Sequence, residues 1–193
     1  MSDGFWRLGL RLVVIGLATV VIQITAVSQI TILGTTADIV PLAVMSVGLL
    51  AGSMSGAAFG FGVGLFLDLA LFQTLGVTSL IGIGIGYASG RLRELRDPGH
   101  GLMPLAAGAA ATAASALGYS LIQFLLGVDA PVSLLLLRQI VATIVVNTLI
   151  ALPVYALLRR VISGALPDDP ARRRRRRAYA TGGLSPLSQA RPR

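Results

Sequence analysis

The chain consists of long apolar stretches separated by short polar joints between residues 12 and 158. A helix that crosses the hydrocarbon core of a bilayer needs about 20 residues. The spacing of the joints predicts six helices, at residues 10–30, 38–52, 54–73, 76–91, 103–127 and 132–158. We therefore predict an all-α fold, that of a polytopic membrane protein built as a six-transmembrane-helix bundle.

Two regions of different composition divide the chain. Residues 1–162 are predicted to form the transmembrane domain, and residues 163–193, rich in Pro, Arg, Gly and Ser, a basic disordered cytoplasmic tail. The tail contains an uninterrupted arginine run at residues 172–177. This run is expected to contact acidic lipids, or to act only as an anchor of the membrane topology.

The positive charges lie almost entirely outside the apolar stretches, and all of them are arginines. Apart from Arg138, those outside the tail are Arg7 and Arg11 before the first apolar stretch, Arg91, Arg93 and Arg96 in one joint, and Arg159 and Arg160 after the last apolar stretch. Six crossings place them all on one face, and Arg138 is the exception. The positive-inside rule then predicts an integral membrane protein with both termini in the cytoplasm. Five crossings would translocate the basic tail, which disfavours that alternative.

Composition narrows the class of protein further. Hydrophobic residues make up 54% of the chain and the mean hydropathy is +0.81, which is too apolar for a soluble domain. The net charge of +8 marks the cytoplasmic side rather than a nucleic-acid-binding surface. Arg7, Arg11 and the apolar run before Ala26 also resemble a signal peptide. We favour a first transmembrane helix because the run is long and further crossings follow.

Glycines recur every four residues in the centre of the chain. One series is Gly48, Gly52, Gly56, Gly60 and Gly64, and the second is Gly82, Gly86 and Gly90. Residues four apart share one helix face, and small residues on such a face let helices approach closely in lipid. We predict that these glycines are helix-packing positions and that the third and fourth helices form the tight centre of the bundle. Contact with a helix of another protein is the alternative.

Asp68 and Arg138 are charged residues inside predicted crossings. Asp68 falls late in the third helix and Arg138 early in the sixth, both near the outer boundary. A charge at membrane depth is costly unless it is paired or reaches the interface. We predict an intramembrane polar pair between Asp68 and Arg138, with separate contacts to lipid headgroups as the alternative.

Three glutamines fall in the same outer half of the predicted bundle: Gln23, Gln123 and Gln139. Together with the two charged residues they are candidates for an outer-half polar cluster that lines a small cavity. They are equally consistent with hydrogen bonds between helices. Asn147, near the middle of the sixth helix, is predicted to form such a bond.

The sequence offers few groups for catalysis. The chain has one histidine, His100, in a predicted cytoplasmic turn, and no cysteine. It lacks a His-Glu-x-x-His zinc motif, a nucleophile elbow and a phosphate-binding loop. We therefore predict a protein that is not an enzyme and that has no cofactor and no metal site.

The central third of the chain resembles the rod shape-determining protein MreD family. The resemblance lies in the run Gly60-Phe-Gly-Val-Gly-Leu-Phe-Leu-Asp68, in Thr74-Leu-Gly-Val-Thr-Ser-Leu80, and in Gly86-Tyr87 with Gly90. Gln23, Asp38-Ile-Val and the segment from Gly48 to Gly56 add to it. Ala37 stands where the family usually has proline, and the arginine-rich tail is not typical of the family.

The resemblance implies a non-catalytic scaffold of the cell-elongation complex in the cell membrane of a bacterium. Its expected partner is an MreC-like bitopic membrane protein, and through it the actin-like MreB, a glycan polymerase and a transpeptidase of lateral peptidoglycan synthesis. It also implies a fold similar to the substrate-binding component of energy-coupling-factor transporters. The alternative function is a small-molecule-binding subunit of a vitamin-type transporter, because the polar cluster could line a ligand cavity.

Overall fold

The computed structural model describes residues 2–25, 31–32, 35–95, 103–127 and 134–163. Within them six helices follow one another, with a two-stranded hairpin between the first two. The elements are α1 (Ser2–Thr25), β1 (Thr31–Ile32), β2 (Thr35–Thr36), α2 (Ile39–Ala51), α3 (Ser53–Ala70), α4 (Val77–Leu95), α5 (Met103–Leu125) and α6 (Leu134–Ser163). The predicted all-helical bundle of six helices is confirmed. The predicted tail lies, apart from Ser163, outside the described residues.

The helix bounds differ from the predicted ones mainly at α1 and α6. Helix α1 begins at Ser2 rather than residue 10, and α6 continues to Ser163. The prediction followed apolar residues, whereas the hydrogen bonding of a helix continues into the polar residues that flank them. The antiparallel hairpin, with Thr31 opposite Thr36, was not predicted because it is only two residues long on each side.

Four of the described helices are long and apolar enough to cross a membrane. Their candidate spans are Leu8–Thr25 in α1, Ser53–Ala70 in α3, Met103–Leu125 in α5 and Arg138–Ser163 in α6. Helix α2 is apolar but has only 13 residues, which is about 20 Å of helix against a hydrocarbon core of about 30 Å. Helix α4 has 19 residues and carries Arg91, Arg93 and Glu94 in its last two turns.

The short helix α2 is the centre of the bundle. Every residue from Val40 to Leu50 is buried, and the helix packs against all five others. A helix that is apolar on all sides is stable only when it is enclosed. The prediction that α3 and α4 form the centre was therefore wrong in one respect: α3 and α4 are the most closely packed pair, but α2 is the enclosed element.

Local signals define the ends of α2. The Asp38 side chain caps the first turn, where its Oδ1 accepts a hydrogen bond of 3.1 Å from the Val40 amide. Pro41 lies in the same turn, where a missing amide hydrogen costs little. At the other end Gly52 has a φ of +96°, a conformation that favours glycine. Gly52 thereby joins α2 to α3 without a loop.

Candidate functional site

Helices α3 and α4 pack through directly opposed backbones. As residue numbers rise along α3, their partners fall along α4: Gly56 lies against Gly86, Gly60 against Gly82, and Gly64 against Ser79. A methyl group built on Gly82 would lie 2.5 Å from the carbonyl oxygen of Gly60. Since the obstacle is backbone, it cannot rotate away. Only glycine fits at Gly56, Gly60, Gly64, Gly82 and Gly86 of the antiparallel pair.

The same face of α4 also accommodates the enclosed helix. A methyl group on Gly48 of α2 would lie 2.6 Å from the carbonyl oxygen of Gly86, and one on Gly56 would lie at the same distance from that atom. Three helices therefore meet around Gly86. Of the eight predicted packing glycines, Gly52 alone has open space beside it, and its φ explains the residue instead.

Other glycines in the same helices are not part of this packing. A methyl group on Gly62 of α3 or Gly84 of α4 would meet no atom within 4 Å. The four-residue spacing in the sequence thus separates the packing glycines from their neighbours correctly. The spacing does not show that Gly52 lies at the turn between α2 and α3. A turn glycine that happens to be four residues from a packing glycine has the same spacing.

A side-chain amide of α6 binds the backbone at the start of α2. The Oδ1 atom of Asn147 accepts a hydrogen bond of 3.0 Å from the Asp38 amide, and its Nδ2 donates one of 2.9 Å to the Asp38 carbonyl. Nδ2 also donates to the Thr112 hydroxyl of α5 at 3.1 Å. Asn147 is fully buried. All the hydrogen-bonding groups of its amide are therefore directed at protein rather than water.

A second amide, from α1, binds the same segment. Gln23 Oε1 accepts a hydrogen bond of 2.8 Å from the Ile39 amide, and Nε2 donates one of 3.3 Å to the Ala37 carbonyl. We call Gln23, Asn147 and the backbone of residues 37–39 the amide clamp. In a bilayer, non-helical backbone must find partners within the protein. The clamp provides them where α2 begins.

The predicted outer-half polar cluster does not converge on one cavity. Gln23 belongs to the amide clamp, whereas Gln123 donates to the Tyr119 hydroxyl of its own helix at 2.9 Å. The side chains of Gln139 and Arg138 are exposed. Asn147 does form the predicted bond between helices, but its partner Thr112 gave no signal because it lies in an alanine-rich helix whose sequence does not single it out.

Asp68 is fully buried at the end of α3 and holds the turn to α4. Its Oδ2 accepts a hydrogen bond of 2.8 Å from the Gly76 amide, and its carbonyl accepts one of 3.0 Å from Gln73. The turn contains two residues with positive φ, Phe72 at 52° and Gly76 at 93°. This backbone path brings the Gly76 amide to the carboxylate.

The structure does not bring Asp68 to Arg138. The Asp68 carboxylate faces the α3–α4 turn, while the Arg138 side chain is exposed at the start of α6. The one ion pair among the described residues joins Arg91 to Glu94. The Gly76 amide, only eight residues along the chain, binds the Asp68 carboxylate. It takes the place that the prediction gave to a side chain on a separate helix. Asp68 Oδ1 remains without a hydrogen-bond partner among the described residues.

Comparison with known proteins identifies the family. The family model described as rod shape-determining protein MreD matches residues 5–161, which include all six helices almost completely. The chain belongs to the MreD family. No curated protein and no solved structure matches it. The similarity to the substrate-binding component of energy-coupling-factor transporters therefore stays a prediction.

In this MreD chain, charged residues of α4 stabilise the joint between α2 and α3. The Arg93 guanidinium donates a hydrogen bond to the Leu50 carbonyl in the last turn of α2, where a cation favourably meets the helix dipole. Ser53, the first residue of α3, donates to Glu94 at 3.0 Å. Hydrogen bonds from Arg91 and Ser53 lower the pKa of the Glu94 carboxyl. We call this the charged end of the bundle.

An apolar groove lies between α1 and α3 of the MreD bundle, where the two helices pack against each other. Its volume is about 400 Å³, and glycines, aliphatic residues and two phenylalanines line it: Gly9, Leu12, Val13, Gly16, Leu17, Ala58, Phe59, Gly62, Val63 and Phe66. The groove offers no hydrogen-bonding side chain. It can accommodate hydrocarbon, and it lacks the polar groups that orient a vitamin-sized ligand.

Proposed function

We propose that this chain is the non-catalytic membrane scaffold of the cell-elongation complex, which supports lateral peptidoglycan synthesis and cell shape. The match of the rod shape-determining family over residues 5–161 carries this proposal. The bundle agrees with it, because the buried side chains of Asn147 and Asp68 hold backbone segments in place. Among the described residues, no group of His, Asp and Glu is arranged to hold a metal ion.

We further propose an MreC-like bitopic membrane protein as the direct partner. Through it the scaffold would contact actin-like MreB, a glycan polymerase and a transpeptidase. The family membership supports this choice, and so do the broad apolar helix faces, which leave room for a further transmembrane helix. Trp6, Leu10 and Val13 on α1 are exposed by more than half.

The proposed topology has both termini in the cytoplasm of a bacterial cell. The charged end of the bundle, with Arg91, Arg93 and Glu94, would then face the cytoplasm together with Arg159 and Arg160. The arginine run at residues 172–177 would lie on the same side and contact acidic lipids.

The alternative, a vitamin-type transporter subunit, has less support. Its expected feature was a cavity lined by Gln23, Gln123, Gln139, Asp68 and Arg138. Gln23 and Asp68 instead bond to backbone amides, and Gln139 and Arg138 are exposed. A ligand site of this kind needs convergent polar groups.

Depletion of the chain in its own host tests the proposal. We expect depleted cells to lose rod shape and to incorporate labelled wall precursor more slowly along the side wall. Expression of the full chain should restore both, and co-purification with the MreC-like protein should accompany the rescue. Cells that keep their shape and their rate of lateral incorporation would overturn the scaffold function.

A further inference from the structure

The C-terminal end of α6 carries a cavity that the scaffold function does not use. Its volume is about 360 Å³, and the residues that line it occupy one face of the last turns of the helix: Tyr155, Ala156, Arg159, Arg160 and Ser163. Arg159 and Arg160 are exposed. Within the described part of the chain, neither guanidinium takes part in an ion pair.

The chemistry of this cavity suits a phosphate group. A guanidinium is a planar fork that binds phosphate through two parallel hydrogen bonds, and two of them line the cavity. A third arginine is near: Arg11 of α1 donates a hydrogen bond of 3.3 Å to the Val161 carbonyl of the same turn. The Tyr155 ring is half-buried beside the cavity, as is common for aromatic residues at a membrane surface.

An exposed apolar stripe continues from the cavity along α6. Val145, Leu149 and Leu152 precede Ala156 and Arg160 at intervals of three or four residues, so they lie on one face of the helix. Their side chains are 50%, 72% and 42% exposed. From Arg160 to Val145 the stripe extends about 22 Å at 1.5 Å per residue. It belongs to a helix that is apolar enough to cross a membrane.

We propose that this face of α6 is a binding site for an anionic glycerophospholipid. The phosphate lies in the cavity between Arg159 and Arg160, and an acyl chain follows Leu152, Leu149 and Val145. A free phosphate would use only the cavity, whereas the lipid uses both parts of the continuous surface. Basic pockets at the membrane surface of helical bundles bind such headgroups. The site is separate from the arginine run of the tail.

Lipid binding to the purified full-length chain tests the proposal. The background variant has every arginine at residues 172–177 replaced by glutamine, so that the tail does not mask the site. Native mass spectrometry in detergent then measures the affinity for phosphatidylglycerol and for phosphatidylcholine with the same acyl chains. We expect Arg159→Gln with Arg160→Gln to weaken phosphatidylglycerol binding about tenfold, as for the loss of charge-assisted hydrogen bonds.

Matched controls separate the site from general charge effects. Arg138→Gln removes one exposed arginine from the other end of the same helix and should leave the affinity within about twofold, whereas Arg159→Gln alone should lower it about threefold to fivefold. Leu149→Ser with Leu152→Ser changes no charge and should also weaken binding. Thermal unfolding in phosphatidylcholine should be the same for all these exposed variants.

Three results would overturn the assignment. The first is an unchanged affinity for phosphatidylglycerol in the double arginine variant. The second is equal binding of phosphatidylcholine, which would show that charge plays no part. The third is a result that reduces the site to a phosphate pocket. Either full displacement of the lipid by millimolar inorganic phosphate or an unchanged affinity in the leucine variant would be such a result.

Discussion

At the scale of single residues, the amide of Asn147 contributes a defined set of hydrogen bonds. It binds both the amide and the carbonyl of Asp38, the residue that caps the start of α2. Gln139, on the same helix, carries the same functional group on an exposed side chain. The two residues therefore form a natural pair for comparing a buried amide with an exposed one.

We predict that Asn147→Leu destabilises the protein by about 2–6 kcal/mol, since two backbone groups lose their partners at a cost of about 1–3 kcal/mol each. Gln139→Leu should change the stability by less than about 0.5 kcal/mol, as exposed substitutions usually do. Thermal unfolding in one detergent measures both variants. Equal losses of stability in the two would show that the clamp does not hold α2.

The second residue-scale prediction concerns Asp68. Its observed bond needs an acceptor for the Gly76 amide and does not need a charge. Asn supplies such an acceptor, so Asp68→Asn should unfold within about 1 kcal/mol of the parent, whereas Asp68→Leu should lose about 1–3 kcal/mol. Gln73→Leu, an exposed change in the same turn, is the control.

An exchange of charge between Asp68 and Arg138 tests the discarded ion pair directly. Because the two side chains do not meet, the doubly exchanged variant should be no more stable than the less stable single variant. Recovery of stability in the double variant, measured by the same thermal unfolding, would restore the pair and contradict the observed turn.

At the scale of elements, the α3–α4 contact predicts opposite effects for glycines in the same helix. Gly60→Ala and Gly82→Ala place a methyl group against backbone and should cost about 1–3 kcal/mol from overpacking. Gly62→Ala and Gly84→Ala meet open space, and should gain up to about 1 kcal/mol because alanine favours the helix. A loss of stability in all four would mean that the contact is not specific.

The sequence predicted the helices better than it predicted which helices pack against each other. The glycine spacing indicated which face of α3 meets α4, because periodicity along one helix reports a contact face. The sequence could not indicate that α2 is enclosed by the other helices. An apolar side chain is equally suited to contact with lipid and to contact with protein, so an apolar helix can lie in either place. The arginine pattern assigned Arg93 to topology alone, whereas Arg93 also bonds to the Leu50 carbonyl. Such contacts depend on geometry between helices, which spacing does not contain.

At the scale of the whole molecule, the distribution of charge predicts the topology. A fluorescent protein fused after residue 193 should fold and fluoresce in the cytoplasm, and alkaline phosphatase fused there should be inactive. The same phosphatase inserted at Gln73, in the α3–α4 turn, should be active on the outer side. Active phosphatase at the C-terminus would reverse the proposed orientation.

The amide clamp also determines when the molecule can be completed during its synthesis. The start of α2 emerges from the ribosome long before Asn147, which is separated from Asp38 by 109 positions. Until the last helix enters the membrane, Asn147 cannot bind the peptide groups of residue 38. Water or a chaperone must supply those hydrogen bonds in its place. We therefore expect nascent chains that stop before α6 to be recognised as unfinished and degraded, however complete their first five helices are.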